Sequence, residues 1–407
     1  MSEQKSARGT RTSSSQVRWF GAAQLISLMR AEPGITRAMA AQQLGISSGG
    51  ATDLVARLRN ARLLDETPAP AQGRGRPTTV LHAHSRGPLV IAAEIRSADW
   101  RLALADIEGL PQLLTRKSHV GSDPNRALRS MAAAIGTTFD ANPGRVRAVS
   151  VSVAGTFSDE RLVQFTSTSW GEGDLSLLLA DLPDRAGVDL LLGNDATLAG
   201  LAEARTGAAR GADTALHLLV AVGLGGTLVV NGEPVTGARG AAGEYGHVPF
   251  GDRTLVCPCG ARGCWDLAVD GRALARHRRD RPPADPVAYA HELLRRYRTD
   301  AATDASTRKA FDAVATALGS GIGGLVNLHD PDVVTLGGLA SPLRAASPDA
   351  FETAYRDGLM AFRKHSAPPI RDGLHGDEGP LNGAAARGID HITTEAALED
   401  WARHVSG

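Results

Sequence analysis

An uninterrupted membrane span is missing from this 407-residue chain: the longest apolar run, residues 215–230, is broken by His217 and by glycines. The first sixteen residues are polar, with a Ser/Thr/Arg cluster at 11–15 and no apolar core of a secretory signal. A cytoplasmic protein without membrane attachment is the expectation. Cysteine is almost absent, and the three that occur lie within eight residues, which excludes a disulfide framework. Lysine supplies only four of the 44 cations, arginine the rest, a bias that reads as coding-sequence composition. There is no excess of either charge, 44 acids balancing 44 bases, which taken alone argues against a nucleic-acid partner.

That balance conceals a division. Residues 1–86 carry twelve bases and five acids, a net +7, so the rest of the chain carries −7. A basic end on an acidic body is what is expected when one part meets a polyanion and the other does not. With 43% apolar and 22% charged residues the chain is globular in composition, and its length calls for two or three lobes with separate cores.

Val17, Phe20, Leu25, Ile26, Leu28 and Met29 recur at helical spacing and stop before Glu32-Pro33-Gly34. Thr36 can cap a second helix with Ala40 and Leu44 on one face; Gly45 ends it, Ile46 is expected to plug the core, and Ser47-Ser48 can cap a third helix through Leu54, Val55 and Leu58. Two helices joined by a tight glycine turn make a helix-turn-helix. The second would present Ser48, Gly49, Thr52, Asp53 and Arg57 outward, small residues first, as entry into a major groove requires. Strand-like runs at 63–67 and 78–82 flank Gly73-Arg74-Gly75-Arg76-Pro77, a wing whose arginines suit phosphates or a minor groove. Candidate DNA contacts are Arg37, Ser47, Ser48, Gly49, Thr52, Arg57, Arg74 and Arg76. A helical protein-interaction module with a solvated arginine loop is the alternative.

Beyond a linker at 85–88 the pattern changes. Strands are expected at 89–95, 100–106 and 115–119, a helix at 125–139, strands at 146–153 and 188–192, and a helix at 196–204. A second set begins at 215, with strands to 222 and at 227–230, helices at 286–298 and 307–327 and a strand at 333–336. Two successive meander-then-α/β sets predict two similar lobes with a cleft at the carboxyl ends of the strands.

The sharpest chemical signal is Gly243-Glu244-Tyr245-Gly246-His247 followed by Cys257-Pro258-Cys259-Gly260-Ala261-Arg262-Gly263-Cys264. One imidazole and three thiols supply four ligands of the type used by a closed tetrahedral zinc site, with Pro and Gly permitting the turns that converge them. His247, Cys257, Cys259 and Cys264 are therefore expected to hold one structural Zn2+ per chain; three ordinary buried thiols are the alternative.

These motifs, with Asn194-Asp195-Ala196, Ala154-Gly155 and residues 327–338, resemble the ROK family of repressors and sugar kinases. The resemblance covers about residues 15–390 and is nearest to the regulator branch. It implies an α/β fold: a winged helix-turn-helix at 15–84 behind a tail at 1–14, then a two-lobed actin/hexokinase-like ROK domain at 85–407, with its zinc motif at 247–264. It also implies that Asn194, Asp195, Glu244, His247 and Asp266 hold sugar hydroxyls, with His247 serving metal and sugar together. The family usually has Glu at position 266. For Asn194 and Asp195 a plain helix cap is the alternative.

Family kinases open this domain with an Asp-x-Gly-Gly-Thr turn for ATP phosphates, whereas this chain has Glu94-Ile95-Arg96-Ser97-Ala98-Asp99. Side chains replace the glycines and obstruct phosphate approach. Asp195 then becomes a vestigial base, and the chain reads as a non-enzymatic DNA-binding regulator of carbohydrate-related genes, a repressor in its simplest form. Its partners would be a double-stranded operator, a sugar or sugar phosphate effector, and further copies of itself as a homodimer or tetramer. An active ATP-dependent sugar kinase carrying a DNA-binding domain is the competing reading.

Overall fold

The computed structural model describes residues 14–69, 79–96, 98–119, 123–158, 161–165, 173–182, 187–238, 240–299 and 304–406. The amino-terminal unit is α1 (Ser14–Ala31), α2 (Arg37–Gln43), α3 (Ser48–Asn60), β1 (Leu64–Pro68) and β2 (Thr79–Ala83), the last two antiparallel. Side-chain oxygens set the helix starts. Thr36 accepts the Met39 amide at 3.3 Å and Ser47 the Gly50 amide at 3.1 Å, each satisfying a donor that has no partner within its helix. Gly45 takes φ +63° in the turn, a conformation that disfavours any side chain.

Two expectations about this core are corrected. Phe20 is exposed and Trp19 is buried in its place, and Ile46 is not a plug but more than one-third exposed. The core faces α1 through Leu25, Ile26 and Met29 and α3 through Leu54, Val55 and Leu58.

Lobe 1 follows as β3 (Leu89–Ile95), β4 (Asp99–Ala105), β5 (Gln112–Ser118), α4 (Pro124–Asp140), β6 (Val146–Val153), a small antiparallel sheet of β7 (Gly155–Ser158), β8 (Arg161–Phe165) and β9 (Gly173–Asp174), then β10 (Asp189–Asn194) and α5 (Asp195–Thr206). Its main sheet has the order β10-β6-β3-β4-β5, with β3, β6 and β10 parallel and β4 and β5 antiparallel. Lobe 2 repeats the plan with β11 (Thr214–Val220), β12 (Leu224–Val230), β13 (Glu233–Pro234), α6 (Gly271–Arg278), α7 (Pro286–Thr299), α8 (Ala305–His329), β14 (Val333–Gly338), α9 (Ala340–Ala346), α10 (Pro348–Gly358) and β15 (Ile370–Asp372). The sheet order β13-β12-β11-β14-β15 repeats the same meander beside parallel strands. By length and composition α8 could cross a membrane, but 56% of its apolar window is buried in lobe 2, the pattern of a core helix.

The chain closes with α11 (Gly379–Ile392) and α12 (Glu395–Ser406). α11 packs its buried face onto α5 and the lobe 1 sheet, where a Cβ at Gly383 would lie 1.9 Å from the Leu198 carbonyl oxygen. α12 returns to the amino-terminal unit. The buried Trp401 indole donates to the Ala61 carbonyl at 2.8 Å, at the end of α3, while Arg30 on α1 pairs with Asp390 on α11. One apolar core runs through both, joining Trp19, Leu25 and Met29 to Ala384, Ala385, Ile389 and Trp401 of the last two helices.

Candidate functional site

Asn194 ends β10 and Asp195 begins α5, so both lie at the carboxyl edge of the lobe 1 sheet. Asn194 is a true N-cap: its Oδ1 accepts the amides of Ala196 at 3.0 Å and Thr197 at 3.3 Å, and its Nδ2 donates to Gly155 O at 3.4 Å. Asp195 accepts the Ala196 amide at 2.9 Å. Burial pushes its carboxyl up to about 6, with the carboxylate of Glu244 adding to the rise. Asp195 in lobe 1 and Glu244 in lobe 2 repel one another, and two such carboxylates form an acceptor set suited to hydroxyl donors. Capping and hydroxyl recognition are compatible, because the cap uses Oδ1, the amide nitrogen has a second hydrogen beyond the one given to Gly155 O, and Asp195 has a second oxygen beyond the one that accepts the Ala196 amide.

His247 stands between two chemistries. Its Nδ1 lies 3.8 Å from Cys257 Sγ, and its Nε2 lies 3.8 Å from Glu244 Oε2. Cys259 and Cys264 Sγ are 3.6 Å apart, and one ligand atom from each of the four residues lies within 4.8 Å of every other. A tetrahedral ion with metal–sulfur bonds of about 2.3 Å has ligand-to-ligand edges of roughly 3.7 Å, which the His247–Cys257 and Cys259–Cys264 pairs match, so the donor set could hold a metal ion. The turn is fixed by main chain: Gly260 N donates to Cys257 O at 2.9 Å and Cys257 N to Ala261 O at 2.8 Å. One side of the imidazole thus faces Cys257 and the other faces Glu244.

Asp266 differs from the other four. Its Oδ1 accepts the Leu224 amide at 2.5 Å and its Oδ2 the Arg272 guanidinium at 2.9 Å, so the buried carboxylate is engaged on both oxygens within lobe 2. A Cβ at Gly223 would lie 2.1 Å from Asp266 Oδ1, so the β11–β12 turn is seated directly on this acid. The sequence placed Asp266 by its distance from Cys264; nothing local announced Arg272 as its partner.

The turn after β3 is filled. Arg96 reaches Asp99 at 3.0 Å and Asp377, ahead of α11, at 2.7 Å. Beneath it the buried Glu94 and Arg101, opposite each other in the β3–β4 register, are ion-paired, and Arg101 also engages Glu378. Burial pushes Glu94 up to about 7 in spite of Arg101. Ser97 lies outside the described residues.

In the amino-terminal unit Ser48, Gly49, Thr52 and Asp53 are exposed along α3 and Arg57 is half-buried. Ser47 is committed to its cap, and the Thr52 hydroxyl donates to Ser48 O at 2.9 Å. Arg37 lies 3.4 Å from Glu66 on β1, which Arg59 also approaches at 3.5 Å, so these two cations tie the helices to the hairpin. Arg74 and Arg76 lie outside the described residues.

The ROK family model matches residues 91–389. The chain belongs to the ROK family. It is 32% identical over 222 residues to the N-acetyl-D-glucosamine kinase of Salmonella typhimurium, covering 51% of this chain and 69% of the kinase. Among solved structures, a ROK family transcriptional regulator described as a homolog of the E. coli Mlc protein superposes with a TM-score of 0.73 at 20% identity, covering 96% of this chain and all of that one. A ROK family glucokinase from Streptomyces griseus, in complex with glucose and AMPPNP, gives 0.59 at 24% identity over 74% of this chain and 98% of its own. The fold is thus that of a ROK protein with an amino-terminal unit ahead of the kinase-like body.

Proposed function

We propose that the chain is a DNA-binding transcriptional regulator of carbohydrate-related genes, a repressor in its simplest form, whose kinase-like body senses a sugar or sugar phosphate. The observation that carries this reading is the capped α2–α3 pair with its antiparallel hairpin, on a segment of net charge +7. The division at 15–84 and 85–407 assigns DNA to the first part and the effector to the second. Ser48, Gly49, Thr52 and Arg57 meet the major groove, with Arg37 and Ser47 at the helix starts and Arg74 and Arg76 on the wing. Asn194, Asp195, Glu244 and His247 take sugar hydroxyls, and Asp266 acts with them by seating the β11–β12 turn. Zinc, held by His247, Cys257, Cys259 and Cys264, fixes the imidazole while its other nitrogen faces the cleft.

Effector binding between the lobes favours one lobe arrangement over the other, and operator affinity shifts with that population. Two half-sites require at least a homodimer. ATP-dependent catalysis is not part of this reading, because Arg96 and its carboxylates occupy the turn that a phosphate would approach.

The kinase relatives keep a second reading alive, and one experiment separates the two. The protein is tested for retardation of DNA taken from upstream of its own coding sequence, with and without N-acetyl-D-glucosamine or glucose, alongside a coupled assay for ATP consumption with the same sugars. Retardation modulated by sugar, with no turnover, is expected. Turnover abolished by Asp195→Asn, with no retardation at low salt, would establish the enzyme instead.

A further inference from the structure

The two helices that lie between the lobes are packed onto different sheets. α5 is seated on lobe 2, where a Cβ at Gly200 would run into Thr227 and one at Gly225 into Ala196. α11 is seated on lobe 1, where a Cβ at Gly388 would run into Val90. Backbone approach this close holds each helix to its own sheet, so shear of one lobe against the other runs through the contact of α5 with α11. A polar link crosses that contact. In the last turn of α5, at the opposite end from Asp195, Arg205 bonds Asp390 of α11 at 3.0 Å and Glu233 of β13 at 2.6 Å. The other oxygen of the Asp390 carboxylate accepts from Arg30, in the last turn of α1, whose side chain passes the β4–β5 turn at Gly109. One carboxylate is thus shared between a cation seated with lobe 2 and a cation of the amino-terminal unit.

We propose that Asp390 is a positioning residue that couples the arrangement of the lobes to the seat of the amino-terminal unit: Arg205 fixes its carboxylate from the lobe 2 side, and the carboxylate in turn fixes α1. An isolated exposed ion pair would do little, because two long side chains lose freedom to form it. This one is a network with restricted members. The side chains of Arg30 and Arg205 are 12% and 28% exposed, and Asp390 is engaged on both oxygens. Glu233 supplies the second acid, so two cations are matched by two anions. Without Arg205 the Asp390 side chain regains rotamers and turns to water, and its hold on Arg30 loosens.

The seat of α1 matters because α1 and α3 share one apolar core, Leu25, Ile26 and Met29 with Leu54, Val55 and Leu58, so α3 turns with α1. A helix whose cleft end carries Asp195 is thereby joined through two ion pairs to the helix pair that faces outward at 48–57. The coupling is a property of the fold; its effect on operator affinity rests on the regulator reading above.

Hydrogen exchange of the full-length protein, without DNA or sugar, tests the coupling. Arg205→Gln, a change on α5, is expected to speed amide exchange about fivefold in the last turn of α1, and Arg30→Gln, a change on α1, to speed it similarly in the last turn of α5, with melting unchanged. In an Asp390→Asn background neither change should have a further effect on the other helix, because the shared carboxylate is already gone. Should Asp390→Asn melt early, the double variant R30Q/R205Q decides instead: coupled residues give less than the product of the single effects, independent ones the full product. Effects confined to the helix that carries each substitution, cross effects that persist in Asp390→Asn, or a full product in the double variant would overturn the proposal. On duplex DNA from upstream of the coding sequence Arg205→Gln should bind about fivefold more weakly than wild type; equal binding would overturn the role in operator affinity. Absence of binding by wild type would sink the regulator reading alone, since the exchange result decides the coupling without DNA.

Discussion

In lobe 1 the turn that follows the first strand is filled by Arg96 and ringed by Asp99 and Asp377, with Glu94 and Arg101 paired beneath it. In lobe 2 the corresponding turn, between β11 and β12, carries Gly223, is followed by Gly225 and Gly226 at the start of β12, and is seated on Asp266. The two sheets have the same strand order, so topology does not account for the contrast. What differs is which turn lets its backbone be approached. The lobe 1 turn is ion-paired and filled by a side chain. Lobe 2 has kept close backbone packing next to its four-ligand centre.

Removing the metal from lobe 2 should do the most damage. One ion per chain is expected by elemental analysis, and Cys259→Ser or chelation should lower the melting temperature by an amount equivalent to several kcal/mol, as for other four-ligand structural sites. A chain purified without chelator that carries far less than one ion would break the account of this lobe.

The two segments should respond unequally to substitution. At Gly226 a Cβ would lie 2.6 Å from the His217 carbonyl oxygen, so Gly226→Ala is expected to cost about 1–3 kcal/mol in denaturant unfolding. Arg96→Gly removes a pair to Asp377, which is 78% exposed, and one to the buried Asp99, which keeps Arg116 as a partner, and should cost about 1 kcal/mol. It should also leave ATP turnover undetectable, because Glu94 and Arg101 remain. Equal costs at both positions would erase the contrast.

The effect confined to one range of pH concerns Asp195. Its carboxyl is raised to about 6 in the folded protein, so the folded state favours the protonated acid. Any stabilisation from that proton is complete below pH 4 and disappears as pH rises through 6. Asp195→Asn should therefore melt no differently from wild type at pH 4 and higher at pH 7.5, by an amount equivalent to up to about 3 kcal/mol. A variant less stable at pH 7.5 would show that the charged carboxylate is held by partners.

Much of this contrast was legible in the sequence, because it is written in local chemistry. Thr36, Gly45 and Ser47 mark the helix-turn-helix through caps and a left-handed turn that involve only near neighbours. The spacing of Cys257, Cys259 and Cys264 after His247 likewise encodes a cluster formed by short loops. Long-range pairings were not legible. Arg101 on β4 finds Glu378, 277 positions away, and Asp266 finds the Leu224 amide, 42 positions away. Trp19 and Phe20 are adjacent, and which one enters the core depends on the face that α12 and α1 share, which the helical spacing of α1 alone does not reveal. The last two helices carry no motif, yet they join the cleft helix α5 to the amino-terminal unit.

Anisotropy of a labelled duplex from upstream of the protein's own coding sequence tests whether the exposed face of α3 reads DNA. Wild type should bind saturably at 50 mM salt, and Thr52→Glu, which puts an acid on that exposed face, should bind about 100-fold more weakly with its melting temperature unchanged. Equal affinity of the two proteins, or no binding by wild type, would contradict the account.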